Sequence, residues 1–154
     1  MLKIVLYEPE IPPNTGNIIR LCANTGCSLH LIEPLGFDLD DKKMRRAGLD
    51  YREFADLRLY PSLEGFMTEE GQPRTLALST KGGVGYHNIS YRENDALLFG
   101  PETRGLPQAI LDDLAPEQRL RIPMRADSRS LNLSNAAALA VYEGLRQLGV
   151  PGLG

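Results

Sequence analysis

Short apolar runs alternate with helical segments along almost the whole chain, and this alternation restricts the fold more than any other feature. Runs rich in Val, Leu and Ile are typical of strands that are buried on both faces of a sheet. Strands that alternate with helices predict an α/β fold with a mostly parallel sheet and helices on both faces. The predicted strands are Leu2–Tyr7, Leu29–Ile32, Leu57–Tyr60, Thr75–Ser79, Ala96–Phe99 and Leu120–Pro123.

Helices are predicted between these strands and after the last one. Asn14 and Ser62 are suitable N-caps for two of them, and Gly26 suits the position that ends a helix. The last helix has four alanines in Ala136–Ala140, and such small side chains allow another backbone to approach closely. With 154 residues, the chain is long enough for one domain, residues 1–154, with a substantial core. The predicted helices are a first one from Asn14 to Gly26, then Asp41–Ala47, Ser62–Glu70, Pro107–Leu114 and Asn132–Leu148.

The composition excludes several classes of protein. No apolar run approaches the roughly twenty residues of a membrane span, and the acidic N-terminal segment does not resemble a signal peptide, so a cytoplasmic location is expected. Cys22 and Cys27 have neither CxxC nor metal-site spacing and are expected to be buried, inert thiols. His30 and His87 are isolated in the sequence and without evident partners, so no metal is predicted.

The charge is unevenly distributed. A net charge of −3 does not favour nucleic-acid binding, yet local basic groups can bind phosphates inside an acidic protein. Each group alone is equally compatible with a solvated surface. The two groups are Lys42, Lys43, Arg45 and Arg46, and Arg119, Arg121, Arg125 and Arg129.

Ligands of parallel sheets bind beyond the carboxyl ends of the strands, so the loops after the predicted strands are the candidate site. The loop after Phe99, Gly100–Pro107, offers a glycine for close backbone approach and the opposite charges of Glu102 and Arg104. The loop Met124–Ser130 is densely polar. The sequence after Leu78, STKGGVG, lacks the order of a phosphate-binding P-loop and is interpreted as a flexible turn. The absence of GxGxxG argues against a nicotinamide-dependent oxidoreductase.

Three segments, in this order, resemble the motifs of the SPOUT superfamily of methyltransferases, in its TrmH-like branch. They are Asn14–Arg20, Leu97–Pro107 and Ile122–Ala136, and together with their spacing they extend the resemblance over essentially the full chain. The opening Leu6–Gly26 and the segment Arg45–Tyr51 are similar to the TrmL group, which methylates the ribose 2′-hydroxyl of the tRNA wobble nucleotide.

The resemblance implies a C-terminal trefoil knot, a rare exception to unknotted chains, in which S-adenosyl-L-methionine binds and from which S-adenosyl-L-homocysteine leaves. It also implies a homodimer with the last helix in the interface. RNA would then bind across both subunits, through Lys43, Arg45, Arg46 and Arg129. The residues implied for cofactor binding are Leu78, Gly100, Gly105, Ile122, Ser130 and Leu131.

The implied reaction is methylation of a ribose 2′-hydroxyl in the wobble cytidine or 5-carboxymethylaminomethyluridine of leucine tRNAs. The family assigns proton removal to Arg20, but a guanidinium normally keeps its proton in proteins, so a phosphate clamp or a hydroxyl-orienting role is more plausible. Asn17 would steady Arg20, Glu102 would hold Arg20 or a neighbour, and Ser128 and Asn132 would position the nucleotide. Methylation of ribosomal RNA, and RNA binding without catalysis, remain alternatives.

Overall fold

The computed structural model describes residues 1–40 and 56–154. These residues form a seven-stranded sheet in which every pairing is parallel. The strands are β1 (Lys3–Tyr7), β2 (Ser28–Ile32), β3 (Leu57–Tyr60), β4 (Thr75–Leu78), β5 (Val84–Gly85), β6 (Ala96–Phe99) and β7 (Arg119–Arg121). Their order across the sheet is β3-β2-β1-β6-β4-β7-β5. The predicted α/β fold is therefore confirmed.

Helices cover both faces of the sheet. They are α1 (Pro12–Thr25), α2 (Leu63–Glu69), α3 (Gln108–Asp112) and α4 (Leu133–Gln147), with a 3₁₀ helix at Pro116–Gln118. The predicted basic helix Asp41–Ala47 lies outside the described residues. The predicted helix Pro107–Leu114 is shorter than expected, because Pro107 supplies only the residue before its first turn and the chain leaves the α-helix at Asp113.

Alternate residues of the central strands face the two helical layers, as the two-residue repeat of a strand requires. Ile4 and Leu6 of β1 lie in one apolar cluster with α1 and α4. Val5 faces the other way, into a second cluster with Phe66 of α2 and Leu111 of α3. The sheet is therefore buried between two cores, which explains the continuous apolar runs in the sequence.

The first helix begins earlier than the sequence suggested. Asn14 is not its N-cap: α1 starts at Pro12, after Ile11, whose side chain makes no capping hydrogen bond. Proline is well tolerated in the first helical turn, because the N–H group that it lacks would have no partner within the helix there. Asn14 therefore lies inside the first turn, 5% exposed, and Gly26 ends the helix with a φ of 78° as predicted.

Close approach explains the abundance of small residues in α4. This helix packs against α1, and its Ala137 and Ala140 are fully buried in the shared core. A β-carbon placed on Gly144 would lie 2.8 Å from the side chain of Leu2. The small side chains thus serve the packing of the helix against its neighbours.

The segment after β4 begins with a turn, as the sequence suggested, because the Gly82 N–H donates to the Ser79 carbonyl at 3.1 Å. It contains β5, which pairs with β7, and the Tyr86 N–H donates to the Arg121 carbonyl at 2.9 Å. Gly82 lies so close to β7 that an added β-carbon would be 2.3 Å from the Leu120 carbonyl oxygen. The turn therefore packs against β7, and the first of its two adjacent glycines permits this close backbone approach.

A buried polar network surrounds His30 on β2, so the prediction that it lacks partners is wrong. Its Nε2 atom lies 2.8 Å from the Ser28 hydroxyl and its Nδ1 atom 3.0 Å from the Tyr60 hydroxyl. Glu70 is 3.6 Å from Nδ1. Burial lowers the pKa of His30 to about 4, and the charges of Arg58 and Lys3 act in the same direction. The two cysteines are buried free thiols, as predicted, and burial raises the pKa of each.

His30 should make the protein sensitive to mild acid. The ordinary pKa of histidine is 6.5 and the folded-state pKa of His30 is about 4, so between these values the unfolded chain binds a proton that the folded chain does not. The lowered pKa of His30 therefore contributes to the free energy of unfolding. This contribution is complete above pH 6.5 and is lost as the pH falls towards 4. The lowered pKa corresponds to a loss of about 3 kcal/mol.

The measurement is urea unfolding across this pH range. His30→Gln, which cannot titrate, should flatten the profile, whereas the exposed His87→Gln should leave its shape unchanged. Parallel profiles for wild type and His30→Gln would contradict the assignment.

Candidate functional site

A cavity of about 490 Å³ opens beyond the carboxyl ends of β4, β6 and β7. Its wall combines the first turn of α1, the segment after β4, the loop after β6 and the chain that connects β7 with α4. This is the edge of a parallel sheet where ligands bind. The loops that the sequence analysis selected therefore do converge on one place.

All six residues predicted to bind a cofactor line this cavity. They are Leu78, Gly100, Gly105, Ile122, Ser130 and Leu131. Sequence reasoning assigned no site role to several further lining residues, among them Thr80 and Arg121. Thr80 lies in the segment interpreted as a turn, and Arg121 was grouped with a basic surface, so the sequence pattern gave no signal for their convergence.

Gly100 is required by the loop itself. An added β-carbon would lie 2.4 Å from the Leu106 nitrogen and 2.6 Å from the Gly105 carbonyl carbon. Gly105 turns the chain back with a φ of 69°, a conformation that favours glycine. The two glycines thus allow the 100–107 loop to fold tightly beside the cavity.

Glu102 caps helix α1 from a distant part of the chain. Its carboxylate accepts hydrogen bonds from the backbone N–H groups of Glu10 at 2.8 Å and Ile11 at 2.7 Å. The Asn14 amide donates to the same carboxylate at 3.3 Å. A negative charge at a helix N-terminus satisfies otherwise unpaired N–H groups and interacts favourably with the helix dipole. Of the roles considered for Glu102, holding the start of α1 is the one with direct contacts.

Glu10 makes the reciprocal contact with the loop that contains Glu102. Its carboxylate accepts from the Thr103 N–H at 2.9 Å and from the Thr103 hydroxyl at 2.7 Å. These hydrogen bonds lower the pKa of the Glu10 carboxyl, with Arg104 contributing less. Glu10 was not a candidate in the sequence, because its partner lies 93 positions away and its own surroundings resemble a proline-rich turn.

Arg20 and Asn17 lie on α1, outside the cavity wall that Asn14 helps to form. Asn17 is exposed and Arg20 is half-buried. Ser128 is exposed in the loop between β7 and α4, beyond the cavity lining. None of these three predicted site residues therefore lines the cavity.

Asn132 lines the cavity and also caps α4. Its side-chain oxygen accepts from the Ser134 N–H at 2.9 Å and the Ser134 hydroxyl at 2.6 Å, with the Asn135 N–H at 3.3 Å. The helix accordingly begins at Leu133, one residue later than predicted. The side-chain amide N–H groups of Asn132 have no part in these bonds and remain suited to contact a ligand.

Some arginines of the two basic groups donate hydrogen bonds to backbone carbonyls, and others are exposed. Arg119 donates to the Leu114 carbonyl at 2.8 and 3.2 Å, and Arg121 donates to the Thr80 carbonyl. Arg125 and Arg129 are exposed. Lys43, Arg45 and Arg46 lie outside the described residues.

Within residues 1–40 and 56–154, no cluster of three or more His, Cys, Asp or Glu side chains has the arrangement of a metal site. In the same part of the chain, no helix combines the length and apolar character needed to cross a membrane.

Comparison with known proteins places this geometry in context. The model of the SpoU rRNA Methylase family matches residues 1–142. A Yersinia pestis protein named tRNA (cytidine(34)-2′-O)-methyltransferase is 64% identical over 157 residues, which cover 99% of this chain and 97% of that protein. A solved structure described as "Structural insights into the 2-OH methylation of C/U34 on tRNA" has 47% identity and a TM-score of 0.89, over 97% of each chain.

A more distant structure adds a ligand to the comparison. The SpoU methyltransferase AviRb from Streptomyces viridochromogenes, solved in complex with the cofactor AdoMet, is 26% identical with a TM-score of 0.80. The match covers 96% of this chain and 58% of that one.

Proposed function

The chain belongs to the SpoU rRNA methylase family, and from this membership we propose that it methylates the ribose 2′-hydroxyl of the tRNA wobble nucleotide, using S-adenosyl-L-methionine. The observation that carries the proposal is near-full-length identity of 64% to a curated enzyme named for this reaction. Because tRNA is the substrate, we place the protein in the cytoplasm.

The cavity fits the cofactor. Its volume of about 490 Å³ lies within the range of about 300–1,000 Å³ that is usual for small-ligand sites. Leu78 and Ile122 offer apolar side chains to a purine, while Gly100 and Gly105 come from the loop after β6 and Ser130 and Leu131 from the chain before α4. S-adenosyl-L-methionine supplies a methyl group on a positively charged sulfur. We infer that these six residues bind it.

Residues around the cavity can position the RNA. Arg20 binds the phosphate next to the wobble ribose or orients its hydroxyl, and Asn17, one turn away on α1, steadies it. Ser128 and Asn132, in the chain between β7 and α4, position the nucleotide. Glu102 acts indirectly, since its hydrogen bonds fix the first turn of the helix that carries Arg20. The proton acceptor is a phosphate oxygen or water, because the guanidinium keeps its proton.

The direct test is methyl transfer from labelled cofactor to unmodified bulk tRNA, followed by nucleoside mass analysis. A 2′-O-methylated cytidine, or 2′-O-methylated 5-carboxymethylaminomethyluridine, mapped to the wobble position of leucine tRNAs would support the reaction and its substrate. Transfer only to ribosomal RNA would show that the protein is a ribosomal RNA methyltransferase and not a tRNA methyltransferase. No transfer to either RNA, with cofactor bound, would leave an RNA-binding protein.

We infer a homodimer that uses the outer face of α4. Leu139 and Tyr142 are 43% and 48% exposed on this helix and lie three residues apart, so they share a face. The family resemblance implies that the last helix lies in a subunit interface, and two large apolar side chains on one helix face support that assignment.

Charges in this interface should separate the subunits. Leu139→Glu combined with Tyr142→Glu is expected to give a monomer in sedimentation analysis, because burying two carboxylates without partners is unfavourable. Leu59→Glu, at an equally exposed site on the edge strand β3, is the control and should leave the mass unchanged. A monomeric wild type, or a dimeric double variant, would contradict the assignment.

We further infer that Lys43, Arg45, Arg46 and Arg129 bind tRNA phosphates. Each phosphate contact adds about one unit to the slope of the logarithm of affinity against the logarithm of salt concentration. Neutralising Lys43, Arg45 and Arg46 together should therefore flatten this slope by about three units per RNA-contacting patch. Equilibrium binding of tRNA at several salt concentrations measures this slope. An unchanged slope would mean that these residues make no phosphate contact and are merely solvated.

A further inference from the structure

Two loops that are distant in sequence hold each other through a pair of carboxylates. Glu102, in the loop after β6, accepts the N–H groups of Glu10 and Ile11. Glu10, in the loop after β1, accepts the N–H and hydroxyl groups of Thr103. We call these four hydrogen bonds the carboxylate clasp. Each carboxylate thus satisfies backbone donors of the other's loop.

The clasp joins the two halves of the site. One side of it is the loop with Gly100 and Gly105, which forms part of the cavity wall. The other side is the start of α1, the rigid helix that carries Arg20 two turns further along. Hydrogen bonds from N–H groups to a carboxylate are stronger than those between neutral groups. The distance between the cavity and Arg20 therefore depends on contacts made at Glu10 and Glu102.

Arg104 adds ion pairs beside the clasp. Arg104 lies 3.3 Å from a Glu8 carboxylate oxygen and 3.6 Å from a Glu10 carboxylate oxygen. It is 58% exposed, and exposed ion pairs contribute little to stability. Glu8 shares Arg104 with Glu10 without a side-chain bond to the Thr103 backbone, which makes it a matched control.

We propose that Glu10 is a positioning residue for methyl transfer: through Thr103 it fixes the cofactor loop against the start of α1, and so sets the distance between the methyl donor and the RNA held by Arg20. Glu10 touches neither RNA nor cofactor in this role. The inference rests on the proposed function, because it gives that reaction a further determinant.

Kinetics separate positioning from binding. A misplacement of about 1 Å can reduce a reaction about 100-fold, so Glu10→Ala should lower kcat on tRNA by about that factor. Because neither ligand touches Glu10, the dissociation constants for tRNA and for S-adenosyl-L-homocysteine should stay within about threefold of wild type. Glu10→Gln keeps an oxygen that accepts from Thr103 and should recover most of kcat. Glu8→Gln should resemble wild type.

Two kinetic results would overturn the proposal. A kcat of Glu10→Ala within twofold of wild type would show that the clasp does not matter for transfer. A loss of activity that follows a proportional loss of cofactor affinity would make Glu10 a support of the binding loop alone. Circular dichroism of each variant, together with Glu10→Gln, separates these effects from unfolding.

Amide hydrogen exchange tests the clasp without any substrate. Glu10→Ala removes the partner of the Thr103 amide, which should exchange about tenfold faster or more. If the clasp acts as one unit, the Ile11 amide, which is bonded to Glu102 and not to Glu10, should also exchange faster. Faster exchange at Thr103 alone would contradict the proposal. Failure of the wild type to methylate tRNA would refute the proposed reaction and leave this exchange result interpretable.

Discussion

Arg20→Ala is expected to lower methyl transfer to tRNA by about 100- to 1,000-fold, the usual cost of removing a group that acts on the reacting centre. The affinity for S-adenosyl-L-homocysteine should be nearly unchanged. Arg20 lies outside the wall of the cavity, so its removal leaves the cofactor site intact. The slower transfer would then result from a lost contact with the RNA or its 2′-hydroxyl and not from weaker cofactor binding, as the proposed role requires.

The decisive measurements are single-turnover transfer and titration with S-adenosyl-L-homocysteine. Arg20→Lys serves as the comparison, since it keeps the charge and loses the planar two-pronged donor. A lysine that restores full transfer would reduce the role of Arg20 to charge alone. Transfer by Arg20→Ala at the wild-type rate would remove Arg20 from the mechanism.

Gly82→Ala is expected to destabilise the protein by about 3 kcal/mol, at the upper end of the range for overpacked sites. Its β-carbon would lie 2.3 Å from the Leu120 carbonyl oxygen and 2.5 Å from the Leu120 carbonyl carbon. These are backbone atoms of β7, which is paired with β4 and β5. Because the overlapping atoms belong to the backbone, a side-chain rotation cannot relieve the overlap. The backbone itself has to move.

The neighbouring glycine provides the control. A β-carbon on Gly83 would meet nothing within 4 Å, so Gly83→Ala should be neutral or stabilise by up to about 1 kcal/mol through the unfolded state. Urea unfolding of both variants measures the difference. Equal stabilities would mean that the segment after β4 does not pack against β7.

Most helices and strands could be predicted because their signals are local. The strands Leu57–Tyr60 and Ala96–Phe99 match the prediction residue for residue. Ser62 caps α2 by accepting the Gly65 N–H at 3.0 Å, a contact between residues three positions apart. The errors occurred where a distant segment competes with the local signal. Asn14 is a good cap by composition, but the helix begins at Pro12 and is capped by the carboxylate of Glu102.

The candidate site was only partly predictable for the same reason. The six cavity residues were implied by the resemblance to a known family, and the structure brings all six to one cavity. Glu10 lies in the segment Leu6–Gly26 that resembles the TrmL group, but the resemblance assigned it no role, and its contact with Thr103 exists only because β1 and β6 are neighbours in the sheet. The trefoil knot and the roles of Arg20, Asn17, Ser128 and Asn132 remain predictions.

The sequence by itself determined the α/β class, the approximate bounds of most elements and the loops that carry the chemistry, because apolar periodicity and helix caps depend on residues within a few positions of each other. The tertiary structure alone decided the strand order, the pairing of β5 with β7, the close approach at Gly82 and the carboxylate clasp. Each of these joins segments whose meeting depends on how the whole sheet packs, which no local pattern encodes.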